Sequence, residues 1–134
     1  MRYVLDASVA VAAAHPNEPT HALARSRLVR VLAGEDEIVV PALFPIEVAA
    51  ALSRTGSPAT LVENFVTPLV AAPTKIFTIG PRAALRIQHM AMRLKLRAAD
   101  ATYVWLAMRQ GVPLITSDTE ILERASGVCQ VDRP

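Results

Sequence analysis

The chain has 134 residues, of which 52% are hydrophobic and 19% charged, and its 14 basic and 12 acidic side chains leave a formal net charge of +2. That apolar content supports a core burying roughly two thirds of the unfolded surface without staples, which excludes a disordered chain. The single cysteine, Cys129, excludes an intramolecular disulfide framework and a cysteine-rich zinc site.

Taken in order, Arg2–Leu5 reads as a short strand that stops at Asp6. Ser8 then serves as N-cap for a helix over Val9–Ala14, ended by His15, Pro16 and Asn17. Thr20 caps a second helix that runs to Gly34, with Leu23, Leu28, Val31 and Leu32 on its inner side. Glu35, Asp36 and Glu37 decorate a turn before the buried strand Ile38–Val40. Pro41 closes that strand, and a helix through Glu47, Val48 and Ala51 follows. Ser57 and Pro58 start a helix over Ala59–Val66, disturbed by Thr67 and Pro68. Ile76–Ile79 is a third strand, and Gly80-Pro81 turns it into a helix over Arg82–Leu94. The last long helix covers Ala99–Gln110 and stops at Gly111. Pro113–Ile115 is a fourth strand, followed by Thr116, Ser117, Asp118 and a short helix over Ile121–Ala125.

This alternation predicts one α/β domain with three layers, α/β/α, around a short, mostly parallel central sheet. Strands that are apolar on both faces fit a sheet covered on both sides. The apolar N-terminal run is interrupted by Asp6 and has no basic leader or cleavage site, and no stretch reaches the ~18 apolar residues of a membrane span. A cytoplasmic protein without a membrane partner is the expectation.

Four acids resist a surface explanation. Asp6 directly follows the first strand, and Asp118 closely follows the fourth. Glu47 lies in an otherwise apolar helix, and Asp100 sits among alanines at a helix start. Residues just past the carboxyl ends of parallel strands line one crevice, so Asp6 and Asp118 share an edge that Glu47 and Asp100 can complete. Each has a plainer alternative: an Asx turn for Asp6, a helix-edge position for Glu47, a dipole contact for Asp100, an N-cap for Asp118. A true cluster would need cations against its own repulsion. Hard divalent ions such as Mg²⁺ or Mn²⁺ take oxygen ligands, and the chemistry they serve best is phosphoryl transfer or phosphodiester hydrolysis.

The segments Val4–Ser8, Pro41–Leu52 with Glu47, Leu96–Gly111 with Asp100, and Pro113–Asp118 resemble the PIN domain, and most closely its VapC-type toxins. The resemblance runs from Tyr3 to about Leu122, and its most specific part is the Ala99–Ala107 block followed by Gly111–Asp118. It implies a Mg²⁺- or Mn²⁺-dependent endoribonuclease with one or two ions, in which Asp6, Glu47, Asp100 and Asp118 hold the metal and activate water. Ser8 and Thr116 match hydroxyl positions that support such a site. The resemblance also implies a homodimer and a cognate VapB-type antitoxin, through which alone DNA would be met. A departure falls at Leu94-Lys95-Leu96, where the family often has glycine.

Arg82, Arg86 and Arg93 fall within about 40° of one another on a helical wheel, and Arg97 lies just beyond. With no acid between Arg82 and Asp100, they form the best stripe for an RNA backbone, against the plain alternative of a solvated face. Three other functions compete. A structure-specific DNA nuclease lacks the expected arch-like insertion here, and an aspartyl-phosphate phosphatase lacks a second Asp, since Ser8 occupies that position. A PIN-fold module that binds RNA or a partner without catalysis would use the acids only for structure.

Overall fold

The computed structural model describes residues 1–71 and 73–134. Among them, five strands form one all-parallel sheet: β1 (Arg2–Leu5), β2 (Glu37–Pro41), β3 (Lys75–Phe77), β4 (Leu114–Ile115) and β5 (Val131–Asp132), in the order β3-β2-β1-β4-β5. The helices are α1 (Ala7–Ala14), α2 (His21–Leu32), α3 (Phe44–Arg54), α4 (Ala59–Ala71), α5 (Pro81–Leu94), α6 (Ala98–Gln110) and α7 (Thr119–Ala125). From β1 the chain steps outward through β2 to β3, then crosses back to β4 on the other side of β1. Right-handed crossovers therefore put α1–α4 on one face and α5–α7 on the other. The result is the expected three-layer α/β/α arrangement.

The sheet is buried because its strands are apolar on both sides. Tyr3, Val4, Leu5, Ile38, Val40, Leu114 and Ile115 are all fully buried. Helix α6 lies directly on β1, β2 and β4, and its stretch from Asp100 to Ala107 is buried throughout. Trp105 sits edge-on to Phe77 with ring centroids 6.0 Å apart, tying this helix to the outer strand β3. Gly111 takes a left-handed conformation (φ 63°) at the end of α6, which turns the chain into β4.

Several local expectations change. Helix α4 continues through Pro68 to Ala71 instead of stopping at Val66, because Leu69, buried beyond the proline, keeps the last turn packed. The inner face of α2 is Ala24, Leu28 and Val31, whereas Leu23 and Leu32 are more than half exposed. Leu32 instead borders an open apolar groove of about 510 Å³ between α2 and α4. Strand β5 was not foreseen, since two residues are too short to show a period. Asp36 is no surface decoration: its side chain is fully buried and accepts from Arg30, Tyr3 and the Met1 amino group. No helix among the described residues is long and apolar enough to cross a membrane.

Candidate active site

The reversal of strand order between β1 and β4 opens a crevice at their carboxyl ends, the place where open parallel sheets bind ligands. The pairing Leu5↔Ile115 fixes the register. It puts Asp6, one residue past β1, beside Thr116, one residue past β4. Glu47 enters from the first turn of α3 and Asp100 from the first turn of α6. Asp118 starts α7. All four acids, with Ser8 and Arg97, line one crevice of about 260 Å³.

Asp6 occupies the N-cap position of α1 but makes no capping hydrogen bond. Its Oδ2 instead accepts from Ser8 Oγ at 2.5 Å and from Thr116 Oγ1 at 2.7 Å. The two hydroxyls lie 3.3 Å apart and also accept the Ser117 and Asp118 backbone N–H groups. Ser8 and Thr116 thus lock the Asp6 carboxylate to the β1–β4 seam. Burial pushes the Asp6 carboxyl above the usual range, opposed by these hydroxyls and reinforced by the charge of Asp100.

Glu47 Oε2 accepts from the Tyr103 hydroxyl at 2.6 Å. Tyr103 stands three residues after Asp100 on α6, so both face the crevice side of that helix. Burial raises the Glu47 carboxyl, the tyrosine hydrogen bond opposes the rise, and Asp6 and Asp100 add to it. The Tyr103 hydroxyl is itself pushed far up by burial and by Glu47, so it remains a donor. The Asp100 carboxyl is likewise raised by burial, with Arg97 pulling it back.

Asp118 performs two tasks. Its Oδ1 caps α7, accepting from the N–H of Glu120 at 2.8 Å and Ile121 at 3.4 Å. Its Oδ2 faces the crevice, where Arg97 Nη2 lies 3.0 Å away, and Arg97 Nε contacts Asp100 Oδ2 at 2.8 Å. Lys95 makes this possible by taking the left-handed conformation (φ 54°) where a glycine is the usual choice. That turn ends α5 and puts Arg97 at the head of α6. The sequence assigned Arg97 to an RNA-facing stripe and Tyr103 to packing; Tyr103 is indeed packed in the core, and both side chains also contact the acids.

Arg82, Arg86 and Arg93 lie apart from the crevice. They line two adjoining hollows between α5 and α6, of about 380 and 560 Å³, floored by Trp105 and joined by Arg109. Among the described residues none of these four arginines is in an ion pair. Arg109 escaped the sequence reading because it lies on a different helix.

The donors in the crevice are carboxylates and hydroxyls, the chemistry that suits a hard divalent cation. Among the described residues, no three His, Cys, Asp or Glu side chains are already drawn close enough to hold one. Arg97 and Tyr103 engage three of the four acids, Asp100, Asp118 and Glu47. The donor set fits Mg²⁺ or Mn²⁺ in kind.

Acids whose folded-state pKa is raised oppose folding once ionised, so this contribution improves as the pH falls toward their folded pKa. In chelator, the melting temperature is expected to rise as the pH is lowered from neutrality toward the range where these raised carboxyls take up protons. Saturating Mn²⁺ should flatten that trend by stabilising the ionised carboxylates. Thermal unfolding across the pH range checks both, and a metal-free melting temperature that falls throughout would contradict it.

The PIN domain family model matches residues 3–127. No curated protein sequence matches the chain. VapC20 of Mycobacterium tuberculosis, described as a sarcin-ricin loop cleaving toxin, has a similar structure: TM-score 0.77, 15% identity, 98% of this chain and 99% of that one. PAE2754 of Pyrobaculum aerophilum aligns with TM-score 0.71 at 22% identity, over 98% of this chain and 83% of its own. VapBC2 of Rickettsia felis, solved on a DNA fragment from its promoter, gives TM-score 0.71 at 12% identity, over 99% and 98%. At these identities the structural likeness carries the fold alone.

Proposed function

Since this chain belongs to the PIN domain family, we propose that it is a Mg²⁺- or Mn²⁺-dependent endoribonuclease, the toxin of a VapBC-type pair. The observation that carries this reading is the convergence of Asp6, Glu47, Asp100 and Asp118 at the strand-order reversal, with Arg97 the one cation lining the crevice among the described residues. Four carboxylates against one guanidinium make a strongly cation-seeking pocket.

When bound, a divalent ion supplies an acidified water and offsets charge on the scissile phosphate. Asp6, Asp100, Asp118 and Glu47 would hold it. Ser8 and Thr116 keep Asp6 in one orientation, which limits the reorganisation needed on loading. Glu47 and Asp118 are the acids suited to orient the water: Glu47 is held on one oxygen by Tyr103, and Asp118 is fixed by its cap to α7. The unpaired Arg82, Arg86, Arg93 and Arg109 offer phosphate contacts along the flank of α6, whose first turn carries Asp100. An antitoxin partner is supported by the promoter-bound VapBC2 complex, with DNA reached through that partner. A homodimer in the cytoplasm completes the reading.

One observation favours a non-catalytic module: Arg97 already satisfies two of the acids. The test is incubation of the protein with labelled single-stranded RNA and DNA of the same sequence in Mn²⁺. The nuclease reading expects cleavage of RNA with DNA left intact. Cleavage of neither by folded protein free of antitoxin favours the module, and cleavage of DNA alone favours a DNA nuclease.

A further inference from the structure

Arg97 lies at the crevice mouth with a side chain 69% exposed, whereas those of its partners Asp100 and Asp118 are 10% and 24% exposed. It spans the two, Nε on Asp100 Oδ2 and Nη2 on Asp118 Oδ2. Without a cation between them, these carboxylates would repel each other in partly desolvated surroundings. The guanidinium is thus the counter-charge that lets the acid crevice exist before an ion enters. Its grip is also weak. Pairs formed by a solvent-exposed arginine add little, since the side chain gives up rotamer freedom and water screens the charge.

We propose that Arg97 is an exchangeable counter-cation: it occupies the Asp100 and Asp118 oxygens in the metal-free protein and is released when a divalent ion takes them. This rests on the metal-dependent reading above and adds to it a residue that sets the metal affinity. The geometry suits such an exchange. Apart from its two aspartate contacts, Arg97 is held through the backbone at the head of α6, which the left-handed Lys95 turn fixes, so the side chain can swing outward while the helix stays in place. The Lys95 carbonyl accepts a hydrogen bond from Arg124 Nη1, which pins the turn from α7. Asp118 also retains its cap on α7 through the oxygen Arg97 does not use. Release therefore requires no helix to move.

Mn²⁺ binding to the full-length protein, followed by the electron paramagnetic resonance signal of free Mn²⁺, tests the exchange. Relative to the unmodified protein, Arg97→Gln is expected to bind Mn²⁺ about tenfold more tightly, because the ion no longer competes with two ion pairs. Arg97→Lys, which cannot fork across both carboxylates, should fall between. Arg54→Gln removes an exposed cation of α3, the helix that carries Glu47, and should stay within about twofold, as expected for a solvent-screened charge. In chelator, Arg97→Gln should melt lower than the parent and gain more on adding Mn²⁺. Equal or weaker Mn²⁺ binding by Arg97→Gln would overturn the exchange, as would equal tightening by Arg54→Gln. Absence of Mn²⁺ binding in every protein would overturn the metal reading itself, and the exchange with it.

Discussion

Replacing Asp6 by Asn is expected to lower metal-dependent RNA cleavage by at least about a thousandfold while leaving the protein folded, the scale seen when a group essential to transition-state charge is removed. Asp6 is buried and held by Ser8 and Thr116. Asn has the same size and can rotate its carbonyl oxygen toward those hydroxyls, so packing survives. What disappears is a negative charge that only a cation makes tolerable. Because burial raises the Asp6 carboxyl, the metal-free variant should be as stable as its parent or more so. Cleavage rate and thermal unfolding, measured together, separate loss of chemistry from loss of fold.

The second large effect is on stability and lies far from the crevice. Asp36 accepts from Arg30 Nε and Nη2 at 2.9 Å each, from the Tyr3 hydroxyl at 3.3 Å and from the Met1 amino group at 3.0 Å. Removing it leaves a buried tyrosine hydroxyl without its acceptor and a guanidinium without its mate. Asp36→Ala is therefore expected to cost about 3 kcal/mol, a fall of roughly 10 °C in melting temperature for a chain of this size. The Arg30 hydrogen bonds hold the Asp36 carboxyl well below the usual carboxylate range. Its stabilisation is thus present above the ordinary Asp pKa and lost only as the pH falls through the depressed value. That is the opposite sense to the crevice acids, and the gap between parent and variant should remain constant across the window where those acids titrate. Denaturant unfolding of both proteins at neutral and mildly acidic pH checks the size and the trend.

The strands at Leu5, Val40 and Ile115 were legible because they are short, apolar and followed by Asp6, Pro41 and Thr116, which do not continue them. Asp6 and Asp118 could be assigned to one edge from alternation alone, since parallel strands share a direction. Contacts with no local signature could not be read. Tyr103 meets Glu47 across 56 positions of chain, and Arg97 reaches Asp118 across 21. A helical wheel carried Arg97 onward from Arg93, but the left-handed turn at Lys95 breaks that phase and redirects it into the crevice. Asp36 looked like one member of an acidic turn because its partners, Tyr3 and Arg30, belong to other elements. Pro68 signalled a helix end that the packing of Leu69 overrides.

Cleavage of single-stranded RNA under chelation and re-addition of metal tests the central claim most directly. The four-acid crevice predicts cleavage in Mg²⁺ or Mn²⁺, its loss in excess chelator and its return when the ion is restored. Undiminished cleavage in chelator, or none under either condition by folded protein free of antitoxin, would contradict it.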